Sequence, residues 1–409
     1  PCLRCRPEAS PGTPAWAGTS TTVSRAMRLI SEGSLDTDNI NTLATRLGVG
    51  SRHLSRLFEK HLGASPITVA QTRRLHFAKR LIDETTLKMS DIATTSGYRS
   101  IRRFNAHFKS VYCEPPSRFR NKHRPQVDID QGFIFLLRYR PPYDWDHILN
   151  FLSLRAVPGV ESVIDNSYIR NFKIAEESGI LRIKNQPDEN SLQCHIEIGN
   201  PARLLNVVEK IKQIFDLNAD PEEIKLSLTS AGGKKTLVAA LLQQFPGIRV
   251  PGCWDGFEIA VRAIVGQQIS VQGATTIMGR LVQHYGTPLN NVAAKKLGIG
   301  RSFPTPDNLA NLDVTTLSMP RQRAQAIKDM SQAVVLDEIN FSDDTTKLVE
   351  KMKSIKGIGE WTAQYVAMRA CGYPDAFLSG DIVLKKAAER LYDKKFTHKE
   401  LLAEVEQWR

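Results

Sequence analysis

Long apolar stretches are missing from this 409-residue sequence. Because no run of about 18 or more uncharged apolar residues is present, the sequence predicts no membrane-spanning helix. Cysteine is scarce, with six residues in the chain, which excludes a disulfide-dense scaffold and favours a reducing, cytoplasmic setting. An initiator Met and a signal-type apolar segment are also lacking at Pro1, so we expect a fragment of an unsecreted protein.

A surplus of acidic residues is lacking as well, and the positive charge is unevenly placed. Residues 1–125 contain 21 Lys and Arg against nine Asp and Glu, whereas residues 126–409 contain 34 of each class. The net charge of +12 therefore lies entirely in the first third of the chain. Such a segment favours a polyanionic partner through counterion release, although an ordinary solvated surface can have the same composition.

Changes of pattern along the chain predict a mostly α, multidomain protein. Residues 1–20 contain a linker rich in Pro, Gly, Ser and Thr, and residues 21–123 have helical periodicity. Strand patterns at 132–139, 167–174 and 194–198, followed by a helix at 201–215, predict a small α+β domain over 130–220. Residues 221–409 are predicted to form helices broken by Gly and Pro.

A helix-turn-helix pattern occurs twice in the basic segment. In the first copy, Ser51 is expected to cap a helix in which Leu54, Leu57 and Phe58 share an apolar face. The second copy lies 49 or 50 residues later and is expected to bury Ile101, Phe104 and Phe108. A long helix opened by Ser65-Pro66 connects the two copies.

The residues left exposed on the second helix of each copy are basic or polar. Side chains of this kind contact phosphates and base edges, and two such helices on one connector can enter successive major grooves of DNA. Residues 22–120 resemble the AraC/XylS-type transcription-factor domain, with Ala106 where that family usually has Arg. The resemblance implies regulation through double-stranded DNA and RNA polymerase. The predicted DNA-recognition residues are Arg52, Arg56, Arg102, Arg103 and Asn105.

Cys2 and Cys5 form half of a tetrahedral thiolate site, and structural zinc needs four ligands. A stray, redox-inert pair is the alternative interpretation. The segment around them resembles the end of the Ada methylphosphotriester-repair domain, whose remaining Cys ligands lie upstream. The resemblance implies that residues 1–20 are a remnant of that domain, and that zinc and methyl transfer belong only to a full-length protein.

A helix-hairpin-helix pattern near the C-terminus centres on Gly357 and Gly359. Glycine at these positions permits positive φ, and amides at the start of the following helix can hold a phosphate. An ordinary turn between helices is the alternative. Asp381 lies 22 residues after Gly359 and is most simply a helix N-cap, where the helix dipole favours its charged form. A charged carboxylate held there can stabilise an oxocarbenium-like sugar.

From about Phe133 to the end, the chain resembles the HhH-GPD superfamily of DNA glycosylases, and AlkA-type 3-methyladenine glycosylase II in particular. The residues that carry this resemblance are Pro141-Pro-Tyr-Asp-Trp145, Arg155-Ala-Val-Pro-Gly-Val-Glu161, Pro251-Gly-Cys-Trp-Asp-Gly-Phe-Glu258, Ala260-Val-Arg-Ala-Ile-Val-Gly-Gln-Gln268 and the hairpin, Val349–Tyr365. The family has a further helix with a pocket aromatic after the position of Arg409, so we expect a C-terminally truncated glycosylase domain.

The resemblance assigns roles to individual residues. Asp381 corresponds to the catalytic aspartate, and Trp361 and Tyr365 correspond to aromatics of the base pocket. Gln268 corresponds to the residue that fills the gap left by the flipped nucleotide, where an apolar wedge is the familiar choice. Without the resemblance, core packing would be the favoured interpretation of both aromatics. The implied phosphate contacts are Gly357 and Gly359, and the carbonyls implied to hold Na⁺ or K⁺ are those of Lys353, Ile355 and Gly357.

The sequence also lacks two features of related enzymes. Glycosylase/lyases carry a Schiff-base Lys at the position of Trp361. An iron–sulfur loop would need four closely spaced Cys near the C-terminus, and no Cys follows Cys371. We therefore expect a monofunctional hydrolase without a catalytic cofactor that removes 3-methyladenine or 7-methylguanine from DNA. The alternatives are a damage-responsive transcriptional regulator with an inert glycosylase-like domain, and a glycosylase/lyase.

Overall fold

The computed structural model describes residues 21–122, 132–230, 237–315 and 317–406. These residues form two compact units. The first unit contains residues 21–122, 132–138 and 169–212, and the second contains the remaining described residues. The first unit thus joins the predicted helix-turn-helix segment to strands of the predicted α+β domain. None of the helices in the described ranges is long and apolar enough to cross a bilayer.

Eight helices form the helix-turn-helix region of the described chain. In the first copy, Asn39 caps the leading helix by accepting hydrogen bonds from the amides of Asn41 and Thr42. The expectation that Ser51 caps the second helix is wrong, because extended Gly50 is the N-cap and Ser51 is already helical. The helices are α1 (Thr21–Ser31), α2 (Ser34–Thr37), α3 (Ile40–Arg46), α4 (Ser51–Leu62), α5 (Pro66–Glu84), α6 (Met89–Thr95), α7 (Ile101–Tyr112) and α8 (Pro116–Lys122).

The second copy packs as expected on most of its inner face. Ser100 caps α7 by accepting a hydrogen bond from the amide of Arg103. Phe104 and Phe108 are fully buried, with ring centroids 5.7 Å apart. Ile101 was expected beside them but is 45% exposed, because it lies at the first position of α7, before the turn that packs.

The connector helix α5 also packs on the sheet of the first unit. Ser65 caps it and Pro66 occupies its first turn, as the sequence predicts. The ring centroids of Phe77 and Phe135 are 6.1 Å apart, and Arg80 donates a hydrogen bond of 3.2 Å to the carbonyl of Leu136. The helix-turn-helix region is therefore continuous with the strands rather than tethered to them.

Five strands form a sheet in the order β1-β5-β4-β3-β2. Both β1 and β4 pair antiparallel with β5, with Phe133 opposite Ile196 and Leu181 opposite Ile196. The division between the two units falls within β3. The strands are β1 (Phe133–Arg138), β2 (Glu161–Ile164), β3 (Ser167–Ile174), β4 (Glu177–Gln186) and β5 (Ser191–Ile198), and the helices that follow β1 and β5 are α9 (Trp145–Leu154) and α10 (Leu204–Ile214).

The second unit is built mainly from helices around one apolar core. Helices α13, α14, α17, α18 and α19 contribute most of its buried side chains, and the predicted mostly α fold class is confirmed. The helices of this region are α11 (Pro221–Ser230), α12 (Leu237–Gln244), α13 (Gly256–Val265), α14 (Val271–Tyr285), α15 (Val292–Lys296), α16 (Pro306–Ala310), α17 (Arg321–Val335), α18 (Thr345–Lys353), α19 (Glu360–Cys371), α20 (Ile382–Tyr392) and α21 (His398–Val405).

A charged cluster is enclosed in the second unit. Arg262 of α13 donates a hydrogen bond of 2.6 Å to Glu161 and also contacts Glu258, and both carboxylate side chains are 5% exposed. Glu161 accepts further hydrogen bonds from the Tyr168 hydroxyl and the Val157 amide. Burial acts to lower the pKa of Arg262, but the two carboxylates raise it above its usual range. The cluster connects α13 to β2 and β3.

Candidate active site and DNA-binding surfaces

The hairpin between α18 and α19 contains the predicted turn, but only one of its two glycines adopts a positive φ. Gly357 adopts φ +95°, and a Cβ atom there would lie 3.1 Å from the Cβ of Ala326. Gly359 is the N-cap of α19 in an extended conformation, so only Gly357 needs the freedom of glycine. Hydrogen bonds from Lys353 and Gln364 lower the pKa of Glu360, the first residue of α19.

Asp381 is the N-cap of α20, which is the position expected from sequence. Its Oδ1 accepts hydrogen bonds from the amides of Val383 at 2.8 Å and Leu384 at 3.0 Å. Its Oδ2 accepts one from the indole Nε1 of Trp361 at 3.0 Å. Three donors therefore fix the plane of this carboxylate, and an acceptor position on Oδ2 stays open for another group.

Trp361 and Tyr365 lie on one face of α19 and are half-buried against the core of the second unit. Their rings are stacked, with centroids 5.2 Å apart and an interplanar angle of 11°. A base inserted between two rings would need a separation of about 7 Å, the upper end of the range for contacting aromatic rings. The pair, called the aromatic wall below, leaves no space for a base between its rings, so a base can stack only on the outward face of one ring.

Arg369 extends this wall and was not predicted from the sequence. Its Nη1 donates a hydrogen bond of 2.6 Å to the Tyr365 hydroxyl, and its Nη2 donates one of 2.9 Å to the carbonyl of Gly252. The residue is 5% exposed. A spacing of four residues from Tyr365 is the only sequence signal, and that spacing does not distinguish a buried arginine from a surface one.

Gln268 lies in an exposed loop after α13 and adopts φ +53°. The neighbouring Gln267 donates hydrogen bonds of 3.0 Å to both the Gly357 carbonyl and the Thr362 hydroxyl. Gln267 was not predicted either, and it connects the loop to the hairpin directly. The predicted gap-filling residue is thus next to a residue that contacts the predicted phosphate-binding turn.

The carbonyls predicted to hold a monovalent cation belong to the end of α18 and the turn. The Ile355 carbonyl accepts a hydrogen bond of 3.0 Å from the Ile358 amide, and that of Gly357 accepts one from Gln267. A carbonyl oxygen has two lone pairs, so each of these can accept a further contact. Within the described ranges, no group of three or more His, Cys, Asp and Glu could hold a metal ion. Cys2 and Cys5 lie outside the described residues.

The five residues predicted to read DNA are all exposed. Arg52 and Arg56 lie on α4, and Arg102, Arg103 and Asn105 lie on α7, each beside buried Leu or Phe residues that fix the helix. Arg56 donates a hydrogen bond of 3.1 Å to Nδ1 of His53, so part of its hydrogen-bonding capacity is used within α4. The second helix of each copy therefore presents a basic or polar outer face.

Three parts of the chain match known families. Residues 43–122 match a helix-turn-helix domain, residues 134–255 the AlkA N-terminal domain, and residues 261–409 the HhH-GPD superfamily of base excision DNA repair proteins. A Mycobacterium tuberculosis protein described as a probable bifunctional transcriptional activator/DNA repair enzyme AlkA is 34% identical over 399 residues, which cover 95% of this chain and 78% of that protein. This chain belongs to that family.

Two further relatives match the C-terminal part. DNA-3-methyladenine glycosylase 2 of Escherichia coli (strain K12) is 31% identical over 258 residues, which cover 62% of this chain and 86% of that enzyme. The structure of a 3-methyladenine DNA-glycosylase from Archaeoglobus fulgidus superposes with a TM-score of 0.58 at 21% identity, covering 67% of this chain and 92% of that one. The latter similarity supports the fold.

Proposed function

We propose that this protein is a monofunctional DNA glycosylase that hydrolyses the bond between deoxyribose and 3-methyladenine or 7-methylguanine, fused to a DNA-binding transcription regulator. One observation carries this proposal. The Asp381 carboxylate is fixed by Trp361 and by two amides of α20, beside an aromatic wall and a helix-hairpin-helix turn. A charge, a π surface and a phosphate-binding turn are the groups that excision of a cationic base requires.

The chemistry follows from the charge of the lesion. A base methylated at N3 or N7 carries a positive charge, so it takes the electrons of the broken C1′–N bond and leaves as a neutral molecule. The sugar becomes oxocarbenium-like, and the fixed Asp381 carboxylate stabilises that charge. Water then adds to C1′ and loses a proton, leaving an abasic site. Because no acid is needed for departure of the base, one carboxylate is sufficient and the reaction requires no cofactor.

The other groups of the candidate site would bind the DNA around the lesion. The flipped base would stack on an outward face of the Trp361–Tyr365 pair, where a cationic base is attracted to the π face of the ring. The amides at the start of α19, after Gly357 and Gly359, would hold a phosphate, and the carbonyls at the end of α18 would hold Na⁺ or K⁺. Gln268 would fill the gap in the duplex.

The test of this proposal is release of free bases from methylated duplex DNA, measured by chromatography. The rival interpretation, a regulator with an inert glycosylase-like domain, predicts damage-specific binding without released base. The fixed geometry of Asp381 favours the enzyme, because a sensor of damage has no use for a positioned carboxylate.

The product should be an abasic site in an intact strand. A lyase needs an amine that attacks C1′ and forms an imine, and Trp361 offers none. We expect no strand cleavage before alkali is added, and no adduct trapped by sodium borohydride above that of a basic protein of similar charge. A strong adduct that disappears in Lys385→Gln or Lys386→Gln would instead assign a lyase activity to those amines.

The regulatory half would bind duplex DNA through α4 and α7 and act on RNA polymerase. Replacing Arg103 by Ala should weaken binding to undamaged duplex and reduce the slope of log affinity against log salt by about 1, since one phosphate contact is lost. Replacing Arg203, an exposed residue of the same unit outside both recognition helices, removes equal charge and serves as the control. Equal effects of the two variants would show that only net charge matters.

The remaining proposals concern zinc and the cellular setting. Zinc binding and methyl transfer would require ligands in addition to Cys2 and Cys5, so we propose them only for a form of the protein that has those ligands. We also propose a cytoplasmic setting, because a DNA-repair enzyme must have access to the chromosome and none of the described cysteines forms a disulfide.

A further inference from the structure

The loop between α13 and α14 is joined to the hairpin by the side chain of Gln267. Its Nε2 donates hydrogen bonds of 3.0 Å to the carbonyl of Gly357 and to the hydroxyl of Thr362. A carbonyl can only accept, so the amide nitrogen must face Gly357, and these two contacts use both of its hydrogens. Gln267 therefore holds the loop to the hairpin turn and to α19 at the same time.

The hairpin has anchors of its own and does not depend on Gln267 for its shape. The amide of Ile358 donates a hydrogen bond of 3.0 Å to the carbonyl of Ile355, which closes the turn. Thr362 is 2% exposed and follows Trp361 in α19, a helix that packs in the core of the second unit. The hairpin is thus a fixed support to which the loop is attached.

The loop itself has few other contacts that hold it. The backbone amides of Gln268 and Ile269 donate no hydrogen bond to another residue of the described chain. Gln268 adopts φ +53°, a left-handed conformation that is unfavourable for a residue with a Cβ atom. Beyond it, Ser270 caps α14 by accepting a hydrogen bond of 3.1 Å from the amide of Gly273. Gln268 is therefore kept in an unfavourable conformation between the Gln267 side chain and this cap.

We propose that Gln267 is a positioning residue that holds Gln268 at a fixed place beside the hairpin, so that the gap-filling side chain enters the duplex as the hairpin binds the phosphate. This inference rests on the proposed function. Extruding a paired base costs free energy, and a gap-filling residue that is already ordered offsets more of that cost than one in a loop that must first be ordered. Gln267 thus favours the flipped state without acting on the bond that is broken.

The test compares two DNA substrates that differ only in what flipping requires. One is a duplex with 7-methylguanine paired to cytosine. The other lacks the opposite cytosine, so the lesion is bulged, no base pair is broken and no gap is left to fill. Gln267→Met keeps the length of the side chain and removes both hydrogen bonds. We expect single-turnover release to fall about 10-fold from the paired lesion, as the loss of ordinary hydrogen bonds predicts, and less than about 2-fold from the bulged lesion.

A double variant shows whether Gln267 acts through its neighbour. Gln268→Ala should itself slow release from the paired lesion, because it removes the gap-filling side chain. If Gln267 only positions that side chain, adding Gln267→Met to Gln268→Ala should slow release by less than about a further 2-fold, since nothing is left to position. A residue that merely supports the fold would slow both substrates and add its effect to that of Gln268→Ala.

Gln332→Met is the matched control. Gln332 lies on α17 of the same unit, and its Nε2 donates a hydrogen bond of 3.2 Å to the carbonyl of Ala310, so the variant removes a contact of the same kind that does not involve the hairpin. Both rates should stay within about 2-fold of those of the unmodified protein. Thermal melting establishes that each variant is folded. Gln267→Asn, which keeps the amide but is too short to reach Gly357, replaces Gln267→Met if the latter does not fold.

The outcomes are distinct. Slowing of the paired substrate alone, absent when Gln268 is already alanine, supports the inference. Equal slowing of both substrates, additive effects of the two variants, or unchanged rates in Gln267→Met would overturn it and leave the proposed function standing. If the unmodified protein releases base from neither substrate, the proposed function fails, and this inference fails with it.

Discussion

Replacing Asp381 by asparagine should slow the release of methylated bases by at least about 100-fold, the loss seen when one group that stabilises developing charge is removed. Asparagine can still cap α20, because its carbonyl oxygen can accept from the amides of Val383 and Leu384. It cannot do the same for the indole of Trp361, since its NH₂ group is a donor. The measurement is single-turnover base release at saturating protein.

The control for this variant is Asp375→Asn, which removes an exposed carboxylate from the loop before α20. It should leave base release unchanged. Binding of Asp381→Asn to undamaged duplex should stay within about 2-fold of the unmodified protein, because the variant removes no phosphate contact. Release at a rate near that of the unmodified protein would show that Asp381 is only a helix cap.

Replacing Arg262 by methionine should lower the free energy of unfolding by about 3–5 kcal/mol, the usual result of removing one partner from a buried ion pair. The reason is that Glu161 and Glu258 would stay buried with their charges unopposed, at 5% exposure each. Urea denaturation measures the loss. Tyr168 and the Val157 amide would still contact Glu161, so part of its hydrogen bonding survives.

Arg280→Met, on the exposed face of α14, is the matched control and should change the free energy of unfolding by less than about 0.5 kcal/mol. A change of less than about 0.5 kcal/mol in Arg262→Met would mean that Glu161 and Glu258 find other hydrogen-bond donors or become protonated. The charged cluster would then contribute little to the packing of α13 on β2 and β3.

Local patterns were sufficient to predict most of the fold. The repeated helix-turn-helix and the strands at Phe133–Arg138 and Ser167–Ile174 were predicted because their apolar spacing matches the helix and strand periods. Strands β2 and β4 were missed. The first has four residues, and β4 (Glu177–Gln186) mixes charged residues with a short apolar run, so its identity depends on pairing with β5.

The sequence was sufficient to predict a residue of the candidate site where that residue also has a local structural role, such as capping a helix. Asp381 was expected as an N-cap, and the structure has it there. Its contact with Trp361 could not be derived, because the two residues are 20 positions apart and no local pattern brings them together. Arg369 and Gln267 were missed for the same reason, since the groups that orient them lie about 90 to 120 residues away along the chain.

The packing of α5 limits how this protein can diverge in evolution. Of its 19 residues, only Ile67, Thr68 and Gln71 are exposed, because one side supports both helix-turn-helix copies and another contacts the sheet through Phe77 and Arg80. A substitution at Phe77 would disturb two partners at once, so compensating changes would have to arise in both. If α4 and α7 read DNA as we propose, new operator preferences can arise through substitutions on the outer faces of these two helices, whereas few substitutions are tolerated in the helix that supports them.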